Sequence, residues 1–224
     1  MIVRENEAIT LIGGAGVAQG DLEAALRLAP LVVAADGGAD TALANGLAPR
    51  AVIGDFDSIS AAARARLADD ILHALDDQDS TDFEKCLAHI EAPLIIGLGF
   101  TGDRLDHQMA ACNALVRHAD RRCVLLGAHD LMFLCPPVLD LALEPGCRVS
   151  LFPMGAVEGA SDGLEWPIGG LNFAPDGRIG TSNRTVGPLN LSVTAPKMLI
   201  TLPARTLDTV ARALGTCTAT WSTE

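Results

Sequence analysis

The sequence predicts an α/β protein in two parts: an N-terminal parallel-sheet domain with helices on both faces, and a smaller C-terminal all-β sandwich. Short apolar runs alternate with helix-like segments from Ala8 to about Leu134, which is the pattern of strand–helix–strand crossovers. The apolar runs repeatedly break off at glycine- or aspartate-rich pieces, GGAG, DGGAD, GDFDS, QDSTD and GFTGDRLDH. Beyond Pro136-Pro137 the pattern changes, and short alternating runs lie between frequent Pro and Gly, as in a sandwich. The division is therefore expected at residues 1–136 and 137–224.

In chain order, Ala8 to Ile12 reads as a strand closing on Gly13, Gly14, Ala15 and Gly16. Asp21 is the expected cap of a helix over LEAALRLA, which Pro30 stops. Leu31 to Ala35 is a second buried strand, and a weaker helix follows it to Asn45-Gly46. Ala51 to Gly54 is the third strand. Ser60 to Leu67 reads as a helix and Ile71 to Leu75 as a short strand. Thr81-Asp82-Phe83-Glu84 has capping-box spacing, so a helix is expected from there to Ile90. Leu94 to Leu98 and Cys123 to Leu126 are strands flanking a helix over Leu105 to His118. In the second part, strands are expected at Arg148 to Phe152, Leu189 to Val193 and Met198 to Leu202. Periodicity leaves Leu207 to Leu214 open between helix and strand.

Composition narrows the function. The chain has 224 residues, 49% of them hydrophobic, enough for a substantial core. Its net charge of −12 argues against a nucleic-acid footprint, which needs a basic face. Charge, Gly or Pro interrupts every apolar run short of membrane-spanning length, and the N-terminus shows no signal-peptide cleavage pattern. The six cysteines form no CxxC pair, so reduced thiols in a cytoplasmic protein are expected.

The chemistry concentrates around AVIGDFDS at Ala51 to Ser58. Residues two apart on an extended backbone point the same way, so Asp55 and Asp57 project together from a strand end. Such a pair calls for a cation, and a hard divalent ion with oxygen ligands is the usual one; a solvated turn is the plain alternative. The GGAG and DGGA loops allow close backbone approach to phosphate, though neither is a Walker A motif, and both also serve as tight strand-to-helix turns. Asp79, Thr81, Asp82 and Glu84 lie across a helix start, where capping alone would explain them. Arg104 offers a planar fork for phosphate oxygens, with Asp106 beside it; a salt bridge at a helix start is the competing account. Trp166 is a core or interface residue, or a flat ring for an aromatic cation. Ser182-Asn183 reads as a turn.

Taken together, DGGA, GDFDS, QDSTDFEKCL, GFTGDRLDH, GLEW and TSN stand in an order that resembles the thiamine pyrophosphokinases, from about Gly13 to Leu202. The resemblance implies an α/β ATP-binding domain, a thiamine-binding β sandwich, and a homodimer with the thiamine site at the subunit interface. It implies a magnesium ion on Asp55, Asp57 and Asp82, with Asp79 in reserve. It places Asp36, Gly37, Gly38, Ser58, Gln78, Asp79, Thr81 and Arg104 along the nucleotide and Asp106 near both substrates. It assigns thiamine to Trp166, Ser182 and Asn183. Gln78 replaces a lysine common in bacterial members, Asp103 stands where a small residue is usual, and Glu144 to Gly163 matches poorly. The implied reaction uses ATP and thiamine and yields thiamine diphosphate and AMP. Alternatives are a pyrophosphokinase of another alcohol such as a pterin, a DxD glycosyltransferase, and a catalytically silent nucleotide or thiamine-diphosphate binding protein.

Overall fold

The computed structural model describes residues 1–77, 79–102 and 104–222. The chain divides into two compact units, one of Met1–Ala114 with Leu125–Ala128, the other of Leu115–Val124 with the chain from His129 onward. The fold is α/β with a mixed set of strands, parallel in the first unit and antiparallel in the second.

The first unit runs β1 (Val3–Arg4), β2 (Ile9–Ile12), α1 (Gln19–Leu28), β3 (Leu31–Ala35), α2 (Gly38–Ala44), β4 (Ala51–Gly54), α3 (Ala61–Arg64), β5 (Leu72–Ala74), α4 (Asp82–His89), β6 (Ile90–Glu91) and β7 (Ile95–Leu98), and α5 (Leu105–Arg117) begins in it. Its main strands lie in the order β7-β2-β3-β4-β5, all parallel, while β1 and β6 form a separate parallel pair. Strands β2, β4 and β7 are buried at every position. That explains why they read as unbroken apolar runs and not as alternating ones. Thr10 is the one polar residue in β2, and its hydroxyl donates to the Ala29 carbonyl at 2.6 Å. The chain lays β3, β4 and β5 to one side of β2 and then returns with β7 on the other. The strand order therefore reverses at β2 and β7, the kind of edge where ligands bind in open α/β sheets; the segments leaving the two strands stay joined, the Ala15 N–H donating to the Gly99 carbonyl at 3.1 Å.

The second unit contains β9 (Asp130–Leu134), β10 (Val138–Leu141), β11 (Arg148–Pro153), β12 (Val157–Leu164), β13 (Asn172–Phe173), β14 (Gly180–Val193), β15 (Met198–Pro203) and α6 (Leu207–Thr216); β8 (Cys123–Leu126) straddles the division. The long strand β14 pairs with β11 along its first half and with β10 and β12 along its second. Strand β15 joins β11 to β9. Burial alternates along β10 and β11, as expected of strands with one face on a core.

Several expectations shift. Helix α1 starts at Gln19, two residues before Asp21, which sits in the first turn where the helix dipole favours a carboxylate; Ala18 at the cap offers no side-chain bond. Helix α3 stops at Arg64, although Ser60 caps it as a serine should, accepting from the Ala63 N–H. The poorly matching stretch contains β12, whose Gly159, Ala160, Ser161 and Gly163 carry too little apolar surface to announce a strand. The open segment at Leu207 is helix α6. Ser182-Asn183 lies within β14, but its turn-like composition has a cause: Ser182 has φ of 64°, and the register with β11 slips there. Among the described residues, no helix is long and apolar enough to cross a membrane.

Candidate active site

A cavity of about 740 Å³ opens at the C-terminal ends of the first unit's strands. Its floor comes from the segments after β2 and β7, with Gly14 and Ala15 facing Gly99 and Phe100. Close packing makes this edge possible. A Cβ on Gly38 would lie 2.0 Å from the Ile12 carbonyl oxygen, so only glycine lets α2 start against the end of β2. Gly38 thus shapes the site without lining the cavity, whereas Gly37 and Ser58 line it.

Three carboxylates converge on one side. Asp36 follows β3 with φ of 40°, and Phe56 has φ of 64° between Asp55 and Asp57. Such backbone strain in residues with side chains collects at functional sites. Asp36 is only 2% exposed. The Ser58 N–H donates to its Oδ2 at 3.1 Å, and its Oδ1 is buried without a partner. Burial pushes its carboxyl up to about 6; the Ser58 N–H pulls against this and the charges of Asp82 and Asp57 add to it. Asp57 is held below the usual carboxylate range, first by the Ser58 hydroxyl, which donates to its Oδ1 at 2.7 Å, then by a bond shared with Asp36. Asp57 also donates its N–H to Asp55 Oδ1 at 3.3 Å. One carboxylate oxygen from each of Asp36, Asp55 and Asp57 lies within 4.8 Å of the other two. This all-oxygen donor set, with one buried oxygen lacking a partner, fits a hard divalent cation.

Asp82 opens α4 beside this trio. Thr81 caps the helix, accepting from the Glu84 N–H at 3.3 Å, as the capping box requires. Burial raises the Asp82 carboxyl; Lys85 opposes that, and Asp55 and Asp57 reinforce it. Lys85 reaches Asp82 Oδ1 at 3.3 Å and Asp55 Oδ2 at 3.5 Å. Burial alone would lower its ammonium, but the two carboxylates reverse the direction and raise it. Asp79 is exposed, donates its N–H to Asp77 Oδ1 at 2.9 Å, and is not part of the cavity wall. Gln78 and Asp103 lie outside the described residues. Arg104 stands on the wall, exposed, and grips Asp106 through Nη2 at 2.6 Å and Nε at 3.2 Å. That grip holds the Asp106 carboxyl low, and Asp106 itself lies off the wall.

The second unit gathers the other expected residues. Trp166 is 56% exposed. Its backbone N–H donates to Asn183 Oδ1 at 3.3 Å, and Asn183 Nδ2 donates to the Trp166 carbonyl at 2.7 Å, so a buried amide fixes the backbone below an exposed ring. The Arg184 guanidinium lies 5.7 Å from the ring centroid and is paired to Glu165 at 2.7 Å. Ser182 is exposed, and its N–H donates to Ser150 Oγ at 3.1 Å.

Sequence reasoning missed Lys85, which reads as an ordinary helix-surface lysine three residues after Asp82. It also missed Phe100, whose ring meets Phe83 at 4.6 Å on the cavity wall. It did not put Asp36 with Asp55 and Asp57, because the turn at φ 40° that aims Asp36 inward leaves no signal in sequence spacing.

Residues 22–126 match the family described as thiamin pyrophosphokinase, catalytic domain. Thiamine pyrophosphokinase 1 of Oryza sativa subsp. japonica is 32% identical over 155 residues, covering 60% of this chain and 58% of the relative. Thiamine pyrophosphokinase 1 of Arabidopsis thaliana is 30% identical over 162 residues, covering 63% and 60%. The chain thus spans about three fifths of the length of the curated relatives it matches. Among solved structures, thiamin pyrophosphokinase from Candida albicans superposes with a TM-score of 0.74 at 15% identity, covering 90% of this chain and 92% of that one. The Geobacillus thermodenitrificans thiamin pyrophosphokinase gives 0.71 at 23% identity, covering 88% and 96%. At these identities the structural likeness concerns the fold.

Proposed function

We propose that this chain, whose residues 22–126 match the thiamin pyrophosphokinase catalytic domain, is a member of that family and transfers the β,γ-pyrophosphoryl group of ATP to the hydroxyethyl oxygen of thiamine, giving thiamine diphosphate and AMP. The observation that carries this reading is the meeting of Asp36, Asp55 and Asp57 at the strand edge of a cavity large enough for a nucleotide.

Asp55 and Asp57 would hold magnesium, with Asp36 beside them by geometry and Asp82 beside them by family resemblance. When bound, the ion neutralises phosphate oxygens and orients the leaving group. Gly37, Ser58 and Thr81 present small and polar groups along the same wall, suited to the nucleotide. Arg104 faces the cavity with a charge that can swing from Asp106 onto the transferred group. The thiamine hydroxyl oxygen bonds to the β-phosphorus, the bond to the AMP oxygen breaks, and an aspartate takes the alcohol proton. Of Asp57 and Asp106, Asp57 is the one on the wall. Transfers of this kind depend on positioning and charge neutralisation, which suits a site of carboxylates, glycines and one arginine.

The division of labour follows the two-part reading: 1–136 binds ATP, and 137–224 is a β sandwich that binds thiamine through Trp166, Ser182 and Asn183. In the proposed cytoplasmic homodimer the thiamine site is completed across the subunit interface. The test is incubation of the full chain with ATP, magnesium and thiamine, followed by mass detection. Equal yields of AMP and thiamine diphosphate are expected. Release of ADP, or AMP formed with a pterin alcohol and not with thiamine, overturns the assignment.

A further inference from the structure

The chain holds 16 lysines and arginines together, of which only Lys85 and Lys197 are lysines. One of those two is buried among carboxylates. Lys85 is 4% exposed, with its ammonium between Asp82 Oδ1 at 3.3 Å and Asp55 Oδ2 at 3.5 Å. Local structure does not call for it. Lys85 is the fourth residue of α4 and donates its N–H to Thr81 in the helix's first bond, so its charge lies close to the helix end that disfavours a cation. Its neighbours Phe83, Cys86 and Leu87 are buried and apolar, and an apolar side chain of similar length would fill the same face without the cost of burying a charge. The charge therefore serves the carboxylates. Lysine suits that task better than arginine, because a compact ammonium fits between two single oxygens where a planar fork would not.

We propose that Lys85 is a positioning residue that acts as the built-in cation of the site: its ammonium bridges Asp55 Oδ2 to Asp82 Oδ1, leaving one divalent ion to be taken by the carboxylate oxygens of the cluster that it does not engage. The bridge removes the repulsion between Asp55 and Asp82 and fixes the side of Asp55 that turns to the metal. A second cation is then unnecessary, because the ammonium already neutralises the charge between Asp55 and Asp82. The inference rests on the metal reading of this site given above.

The test is Mn²⁺ titration of the full chain without nucleotide, counting free ion by electron paramagnetic resonance and checking the fold by circular dichroism. Wild type is expected to bind one ion per chain. Lys85→Met, neutral and of similar length, is expected to bind two, as a second ion takes the ammonium's position. The double variant Lys85→Met/Asp82→Asn, which removes the extra carboxylate charge, is expected to return to one. A folded Lys85→Met variant with any other count overturns the proposal. If Lys85→Met folds only with Mn²⁺ present and then binds two ions, the proposal stands; if it fails to fold at any Mn²⁺ concentration, Lys85 is a packing residue and the proposal falls. No ion bound by wild type removes the metal reading itself, and this inference with it.

Discussion

The first unit's strand edge and the second unit's tryptophan are built on opposite plans. Asp36 is almost wholly buried, held in a strained conformation and bonded by the Ser58 N–H, and Lys85 is buried alongside Asp55 and Asp82. Trp166 is fixed through its backbone, with the Arg184 guanidinium 5.7 Å from its ring centroid, and more than half of its surface is exposed. Charged groups that must act on phosphate gain from being set in place beforehand in a dry wall. A flat ring that stacks on another flat ring needs only an open face and a steady base. On the proposed function, the difference separates a machine part from a docking surface.

The comparison breaks most sharply at Asp57. Asp57→Asn keeps the volume and removes the charge, so turnover with saturating magnesium should fall by at least ~100-fold while circular dichroism stays unchanged; a variant with wild-type turnover would show that the strand edge is not the machine part. Packing gives the next effect. Gly38→Ala drives a methyl into the Ile12 carbonyl and should cost about 3 kcal/mol in urea unfolding. Gly14→Ala, where nothing lies within 4 Å, should stay within ~0.5 kcal/mol. Equal losses at both positions would remove the close-approach account.

A third test uses pH. The folded Asp36 carboxyl, at about 6, lies above its ordinary 3.8. Between those values the folded chain keeps a proton that the unfolded chain has released, so this group adds stability as pH falls through 6 and takes it away as pH rises. Asp36→Asn should raise the ligand-free melting temperature near neutral pH and flatten its dependence between pH 4 and 7, about the interval those two values bound. Parallel wild-type and variant curves would contradict the buried-charge account. Smallest is Trp166→Ala, expected to raise the thiamine KM roughly tenfold and the ATP KM far less, in line with the loss of ring stacking. An equal rise in both would mean that the tryptophan is part of the frame.

How legible these regions were depends on where the causal contacts lie along the chain. The parallel strands were legible because burial on both faces writes them as apolar runs that end in Gly or Asp. The pair Asp55 and Asp57 was legible because its members are two apart on one backbone. Asp36 reaches them through a contact spanning 22 residues to Ser58, and nothing local records it. Lys85 leaves no signal in the sequence because the same i, i+3 spacing to Asp82 serves exposed helix pairs equally well. In the second unit, β12 was hidden by its small residues, and β9 and β10 by the proline pair between them, which reads as a break and instead joins two short strands.

The return of β7 to the far side of β2 has a consequence for how the protein comes together. The cavity wall draws residues from Gly14 to Ala111, so it exists only after several long loops have closed. Such non-local pairing slows folding, and the wall is complete only in the finished unit. A nucleotide that recognises the whole wall therefore binds the folded chain and ignores the unfolded one. At a hundred times its dissociation constant it would add about 2.7 kcal/mol of stability. For a chain that gathers repelling carboxylates at one strand edge, the proposed nucleotide would then also be a folding partner.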